Sequence, residues 1–536
     1  MKLNKEVLLF LLLVLCLKPS QGQKWPKVYL PHVGNYPYSV VECYDKGYLI
    51  GGCYISGDVF MNGLILKTDL NGAMIWNKTL SGHNDGTGVF DINQTDDNGL
   101  IISGVTNRTD RWGDPFIMKL NSCGEKEWCR IYTSAPNIFD YANSIYQIPG
   151  GYIAYIYRTG SSIANDHIFL YRLDKNGDIL WQQQYALSDP LFLGAAGEHM
   201  MVTTDYHFLL TGYCYYPDSP LTTPPVLRPL IIKIDSTGNV EWELPWSRIG
   251  GESFHGESFR SIADNQQNIY SCGKHIEAPE SHPTMIKTDS NGNELSYHDL
   301  LPNSFLACFF NINWFRDSTI VIDGRWIKNP GDECQIGVFK TDKNGVILDS
   351  VSMMQTSSYF SDAIVDHDNK LFLVQGQYIG NQWQLYAWKL NSDLEYDTIY
   401  THPYVYDSLC PHPIVSDTIP LDCIIVGIDE PFKNPESGKL KVFPNPVRDI
   451  LHIGIPEQLK SENHNPVFNL TTGHHQWHSA ILEIYDLFGR RMFSEEVLQS
   501  EKEVAVDVAI WPGGMYVVRL VYNGQTVSNT KIIIEP

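Results

Sequence analysis

The stretch Leu66-Lys67-Thr68-Asp69-Leu70-Asn71-Gly72, with Trp76 four residues on, decides how this chain is read. It returns as Lys119-Leu120-Asn121-Ser122-Cys123-Gly124 with Trp128. It returns again as Arg172-Leu173-Asp174-Lys175-Asn176-Gly177 with Trp181, and as Lys233-Ile234-Asp235-Ser236-Thr237-Gly238 with Trp242. Copies at 287–292 and 340–345 keep the turn and lose the Trp, and a seventh at 389–394 loses the Gly as well. The glycines 72, 124, 177, 238, 292 and 345 are spaced by 52, 53, 61, 54 and 53 residues, the long interval carrying a Pro-rich insertion at 217–229. A fixed period of this length outweighs any local motif.

Working outward, most periods place an apolar run ending in Gly before the turn: Tyr48-Leu49-Ile50-Gly51, Leu100-Ile101-Ile102-Ser103-Gly104, Phe208-Leu209-Leu210-Thr211-Gly212, and counterparts ending at Gly273, Gly324 and Gly376. The third period has Tyr152-Ile153-Ala154-Tyr155-Ile156 there, without the Gly. A full period reads as four short strands, in the second repeat 89–95, 99–105, 116–121 and 125–132. Alternating apolar and polar residues punctuated by Gly, Asn and Asp mark strands and hairpins. The Asn-Gly pairs at 71–72, 176–177, 291–292 and 344–345 suit a tight hairpin, in which both turn positions can need positive φ. Four strands repeated seven times predict an all-β fold, a seven-bladed β-propeller over 23–400. Gly72, Trp76, Gly124, Trp128, Gly177, Trp181, Gly238 and Trp242 are its structural repeat positions, the tryptophans packing between blades. Trp25-Pro26-Lys27-Val28-Tyr29-Leu30 resembles the outer strand that starts at Trp76 or Trp128. It is therefore expected to join the last blade beside 383–390, leaving 395–400 displaced or as an extra edge.

The ends carry an address. Lys2 and Lys5 precede an unbroken apolar run from Val7 to Leu17, followed by small Ser20 and Gly22. The run is too short to cross a bilayer and reads as a signal peptide over 1–22, cleaved before Gln23. The alternative is a retained anchor, or lipid on Cys16. No later stretch is long and apolar enough for a membrane span, so none is expected in the mature chain. Without Cys16 the 11 cysteines become an even set suited to an oxidising compartment. Cys43 with Cys53, and Cys410 with Cys423, are the expected local pairs, against the alternative of buried free thiols. Residues 401–437, rich in Pro and polar residues, read as a linker with a short strand at 423–428.

From Lys439 a second β-pattern runs to the end. Lys441-Val442-Phe443-Pro444-Asn445-Pro446, Ile484-Tyr485-Asp486-Leu487-Phe488-Gly489-Arg490, Pro512-Gly513-Gly514-Met515-Tyr516 and Lys531-Ile532-Ile533 follow one another in order. Together they resemble the C-terminal sorting domain (type A) of the type IX secretion system. The resemblance covers 438–536 and implies a small β-sandwich that routes cargo across the outer membrane of a Gram-negative bacterium. It makes that secretion machinery a partner and Pro444, Asn445, Pro446, Asp486, Gly489, Arg490, Gly514 and Tyr516 the sorting motif. A polar insertion at 457–479 departs from the pattern and carries His464, His474, His475 and His478; His474 and His478 could share a metal if helical, but the insertion has no Cys, so it reads as a solvated loop and no metal site is assigned.

Function is less legible. Lys and Arg total 39 against 61 Asp and Glu, a net charge of −22, which excludes phosphate-neutralising nucleic-acid partners. No nucleophile elbow, zinc-protease, Walker or dinucleotide motif occurs, no catalytic residue is assigned, and no cofactor is implied. Asp174-Lys175-Asn176-Gly177-Asp178 has the alternating oxygens of a calcium loop, although the repeat explains the same residues as a turn. The reading is a secreted or cell-surface binding or interaction module for glycan or protein. Tyr215, Tyr216, Trp314 and Trp326 are candidate stacking residues at the channel, against the alternative that they pack within the blades. The alternative is a secreted polysaccharide- or peptide-processing hydrolase or lyase with its site in the channel.

Overall fold

The computed structural model describes residues 25–535 apart from 31–33, 57–59, 82–85, 109–110, 134–138, 160–165, 189–191, 217–225, 246–254, 278–279, 356–357, 381, 402–403, 428–439, 456–479, 487–489, 498–501 and 523–524. The signal region, Gly489 and the four insertion histidines lie outside the described residues. Among those described, every regular element is a β-strand. The strands of 34–81, 87–133, 139–185, 194–245, 256–299, 306–355 and 358–390 form seven consecutive antiparallel meanders, called blades 1 to 7 here. Blades 5 and 6 are joined through one bridge between Ser281 and Leu306. Blade 7 supplies three strands of its own, and Lys27–Tyr29 adds the fourth by pairing antiparallel with Gln382–Leu390, Val28 opposite Tyr386. Residue Tyr396 makes one isolated bridge to Leu390 rather than a strand.

The apolar runs of the sequence are the second strands. Gly151–Thr159 is buried along nearly its whole length, because both faces of a blade are covered by neighbouring blades. That is why these strands read as continuous apolar runs and not as alternation. The repeated turn is built by its Asp. In blade 1, Asn71 N and Ala73 N donate to Asp69 Oδ1 at 2.9 and 2.7 Å. Gly72 takes φ 73°, and no positive φ occurs at Asn71. The expected turn with two left-handed residues is thus replaced by a longer loop in which only the Gly is left-handed. In the seventh copy Leu394 holds that position at φ 58°.

The same Gly receives the preceding blade. A Cβ on Gly177 would sit 2.6 Å from the Trp128 ring, and on Gly238 2.9 Å from the Trp181 ring. Tyr132 Oη donates to Gly177 O at 2.7 Å and Tyr185 Oη to Gly238 O at 2.9 Å. The contact recurs where blade 7 meets blade 1: the Trp25 ring lies 2.5 Å from the Cβ position of Gly72, and Tyr29 Oη donates to Gly72 O at 2.8 Å. Trp242 covers Gly292 in the same way. Between blades 1 and 2 the pattern breaks. Leu80 stands where Tyr is needed, the Lys78 stem covers Gly124, and Trp76 Nε1 instead donates to Asp407 Oδ2 at 2.9 Å.

The residues expected to form a linker supply the missing reinforcement. Asp417–Pro420 adds a parallel fifth strand to blade 1 beside Met74–Ser81, and Ile424–Gly427 adds one to blade 2 beside Lys126–Thr133. Lys78 pairs with Asp417 at 2.6 Å, and Tyr406 Oη accepts from Leu70 N at 2.9 Å. Two disulfides fix this strap, Cys123–Cys410 and Cys129–Cys423, bridging 287 and 294 residues. The expected local pairs do not form. Cys43 sits at the hairpin turn while Cys53 lies opposite Tyr36. About six residues of strand, roughly 20 Å, separate them, beyond disulfide reach. Both are buried free thiols pushed up to about 12, by burial first.

The C-terminal unit is a β-sandwich of a three-stranded sheet (Lys441–Phe443, Ile450–Gly454, Glu503–Asp507) and a four-stranded sheet (Arg491–Val497, Ala480–Asp486, Gly514–Tyr522, Gln525–Ile534). Leu451, Ile453, Val504 and Val506 face Leu482, Ile484, Val518 and Ile532 in its core.

Candidate channel site

The first strand of every blade lies innermost and is interrupted by a β-bulge. The pairing skips Tyr38 in blade 1, Phe90 in blade 2, Asn143 in blade 3, Glu198 in blade 4, Phe259 in blade 5 and Phe310 in blade 6. Blade 7 skips two residues between Ser358 and Ser361. A bulge leaves its extra residue out of the ladder and re-aims the side chain. All six single-bulge residues line one cavity of about 450 Å³, together with Asp91, Tyr141, His199, Arg260, Asn311 and Ser361. A volume of this size is typical of ligand sites.

In blades 1, 2, 4, 5 and 6 a glycine at the end of the apolar run belongs to this device. At Gly104 an added Cβ would fall 1.9 Å from Gly88 O, and at Gly212 2.0 Å from Ala196 O. Gly52, Gly273 and Gly324 stand in the same relation to the carbonyls of Tyr36, Glu257 and Cys308. The bulge pushes a carbonyl into space that any side chain would occupy, so glycine is required. In blade 1 the residue in question is Gly52, one beyond the Gly51 singled out from the sequence.

Aromatic rings from neighbouring blades meet tilted or edge to face along the wall. Tyr38 and Phe90 have centroids 4.8 Å apart, Phe90 and Tyr141 5.4 Å, and Phe259 and Phe310 5.9 Å. Arg260 marks the axis. Its Nη1 donates to Asp362 Oδ1 at 2.5 Å, linking blade 5 to blade 7. Burial opposes the Arg260 charge, yet Asp362, with Tyr146, Asp91 and Asp323 on three other blades, holds its pKa above the ordinary value. The acids are tied into the backbone. Asp91 accepts from Ser39 Oγ at 3.0 Å, and from Ile92 N and Ile145 N at 2.9 Å each, spanning blades 1 to 3. Asp362 accepts from Val40 N at 2.6 Å. Burial raises Asp91 to about 6 and Asp323 to about 7. Burial and the nearby Glu257 raise Glu198 to about 8. Burial and Arg260 push His199 well below its ordinary range. Titratable groups displaced in this way cluster where ligands bind or react.

The four aromatics singled out from the sequence are elsewhere. Trp314 Nε1 donates to Ala263 O at 3.0 Å, Trp326 packs on Phe339, and Tyr216 is buried beneath the Arg228 guanidinium. Tyr215 stacks edge-on to Tyr213, outside the cavity lining. Asp174 Oδ1 accepts from Asn176 N and Asp178 N at 2.8 and 2.9 Å, so its turn is closed by backbone donors.

In the sandwich, Asn445 ties the first turn to the last strand. Its Nδ2 donates to Lys531 O at 3.0 Å and its Oδ1 accepts from Ile533 N at 2.8 Å, with Pro444 and Pro446 flanking it. Asp486 accepts from Arg490 N and Nε at 2.9 and 2.7 Å, and Tyr516 Oη donates to Pro512 O at 2.8 Å, beyond an exposed Gly514. Residues 441–535 match the family described as a secretion system C-terminal sorting domain. The protein is a type IX export cargo. It is carried to the cell surface or released, and among the described residues no helix is long and apolar enough to cross a membrane.

No curated protein matches the chain in sequence. Solved structures with a similar arrangement include a protein of unknown function from Dyadobacter fermentans DSM 18053, with 9% identity, TM-score 0.40, and coverage of 68% of this chain and 97% of that one. A polysaccharide lyase of family PL25, an ulvan lyase bound to -[GlcA(1-4)Rha3S]-, is similar at 8% identity and TM-score 0.46, covering 68% and 96%. The subtype N10 neuraminidase-like protein of A/little yellow-shouldered bat/Guatemala/060/2010 is similar at 11% identity and TM-score 0.33, covering 68% and 99%.

Proposed function

We propose that the mature protein is a secreted or surface-displayed binding module that takes a glycan in the propeller channel. One observation carries the reading: six bulges on six blades turn Tyr38, Phe90, Asn143, Glu198, Phe259 and Phe310 into a single cavity with fixed polar partners. Flat aromatic faces beside a few placed hydrogen-bonding groups suit sugar rings, whose C–H faces stack and whose hydroxyls bond. The ring of blades is the rigid scaffold, and the side chains that differ from blade to blade supply selectivity. Binding to a glycan array without release of product, lost in Phe259→Ala, is the expected outcome. A protein ligand captured in place of glycan would revise the ligand class and keep the module.

The second reading, a hydrolase or lyase, is favoured by Glu198, a carboxyl held as the acid near neutral pH beside His199. Product release from a polysaccharide, abolished by Glu198→Gln with binding retained, would establish it.

A further inference from the structure

Building on the glycan reading, we infer that the channel selects an uncharged sugar unit, held through its hydroxyls by Arg260 and Asn311 against Phe259 and Phe310. Asn311 is only 1% exposed and lines the cavity. Its Nδ2 donates to Asp323 Oδ2 and to Ser361 Oγ, both at 3.1 Å, while its Oδ1 is buried without a partner. An acceptor left unpaired in this way costs free energy until a donor arrives. Arg260 occupies the equivalent position on the adjacent blade, with Nη1 committed to Asp362. A guanidinium carries five N–H donors, so it retains capacity toward the cavity. Side by side, then, stand an acceptor in need of a donor and a donor with bonds to give. An alcohol hydroxyl serves both at once.

The charge balance selects against ionised ligands. A carboxylate or sulfate drawn to Arg260 meets Asp362, Asp91 and Asp323, the three acids that already surround that guanidinium. An ammonium drawn to those acids meets Arg260. A neutral ring meets neither penalty, and Phe259 and Phe310, 62° apart in plane, give its apolar face two surfaces. His199 Nδ1, also buried without a partner, is a further site for a hydroxyl.

The test uses the mature full-length protein on an array carrying neutral, uronate- or sulfate-bearing and amine-bearing glycans, followed by titration calorimetry on the best binder. Neutral glycans are expected to bind, with a Kd that changes less than about twofold between roughly 50 and 500 mM salt. Asn311→Ala is expected to weaken binding about tenfold or more. Should that variant fail to fold, Phe310→Ala at the bulge, checked by its melting profile, must give a loss of similar size. Binding confined to charged glycans, or a Kd that rises several-fold with salt, overturns the neutral-ligand inference and leaves the glycan reading standing. Unchanged affinity in a folded Asn311→Ala overturns the role of its acceptor. Absence of any glycan binding defeats the glycan reading itself.

Discussion

Removing the two strap disulfides should cost far more together than either costs alone. With Cys123–Cys410 intact, Cys129–Cys423 closes only a small additional loop in the unfolded chain, the segments 123–129 and 410–423, about 20 residues. The chain-entropy relation assigns such a loop about 3.3 kcal/mol at 25 °C. The same holds with the roles of the two bonds exchanged. Once one bond is gone, the survivor closes a loop of 287 or 294 residues. A loop of that length is assigned about 5.7 kcal/mol. Replacing one pair by Ser therefore removes about 3.3 kcal/mol, and replacing both removes about 9. With an unfolding entropy of about 2.1 cal/mol/K per residue over a ring of roughly 400 residues, these losses correspond to about 4 °C and about 11 °C. The assay is differential scanning calorimetry at one scan rate on the mature protein. The samples are wild type, Cys129→Ser with Cys423→Ser, Cys123→Ser with Cys410→Ser, and all four substitutions combined. A combined shift equal to the sum of the single shifts would refute the nested-loop argument. No shift in any variant would show that the strap does not hold blades 1 and 2.

Further outcomes follow from other contacts. Tyr132→Phe leaves Gly177 O without its buried donor and should lower stability by about 1–2 kcal/mol, read as a fall in melting temperature of a degree or two. Gly104→Ala places a methyl 1.9 Å from Gly88 O, so the bulge must shift. Chemical denaturation should show a loss of more than about 2 kcal/mol, with ligand binding in the channel lost as well. Asp323 has a folded-state pKa raised to about 7 by burial, so its stabilising contribution is full below the unfolded value near 4 and is lost as pH rises through 7. Asp323→Asn should therefore melt above wild type at pH 8 and lose that advantage by pH 5. Deleting residues 441–535 should trap the protein in the periplasm, and normal surface delivery on cell fractionation would contradict the routing role of the sandwich.

The repeat was legible because its chemistry is local. Asp69 satisfies the amides of its own turn, and Gly72 supplies the left-handed residue and the space for Trp25, so both recur in the sequence wherever the contact recurs. The channel was only half legible. The strand-ending glycines at 104, 212, 273 and 324 were visible as a pattern, but the reason for them is a carbonyl on the strand before, and reading that needs the bulge. The channel side chains keep no fixed residue type: the equivalent bulge places are aromatic in Tyr38, Phe90, Phe259 and Phe310 and polar in Asn143 and Glu198. Exposed-sounding aromatics such as Trp314 were therefore more conspicuous than the residues that line the cavity. The strap cysteines were misread for a related reason. Cys410 and Cys423 look like neighbours in the chain, and their partners lie far upstream on blade 2, where no local signal announces them.

The contact of Trp25 and Tyr29 with Gly72 has the form of the contact of Trp128 and Tyr132 with Gly177. The junction at which blade 7 closes on blade 1 is thus no different in kind from a junction between consecutive blades, and the ring has no mechanical seam. The position of the termini becomes a matter of genetics and not of structure. A circular permutant opened between blades 3 and 4, with the old ends joined by a linker, should assemble the same ring.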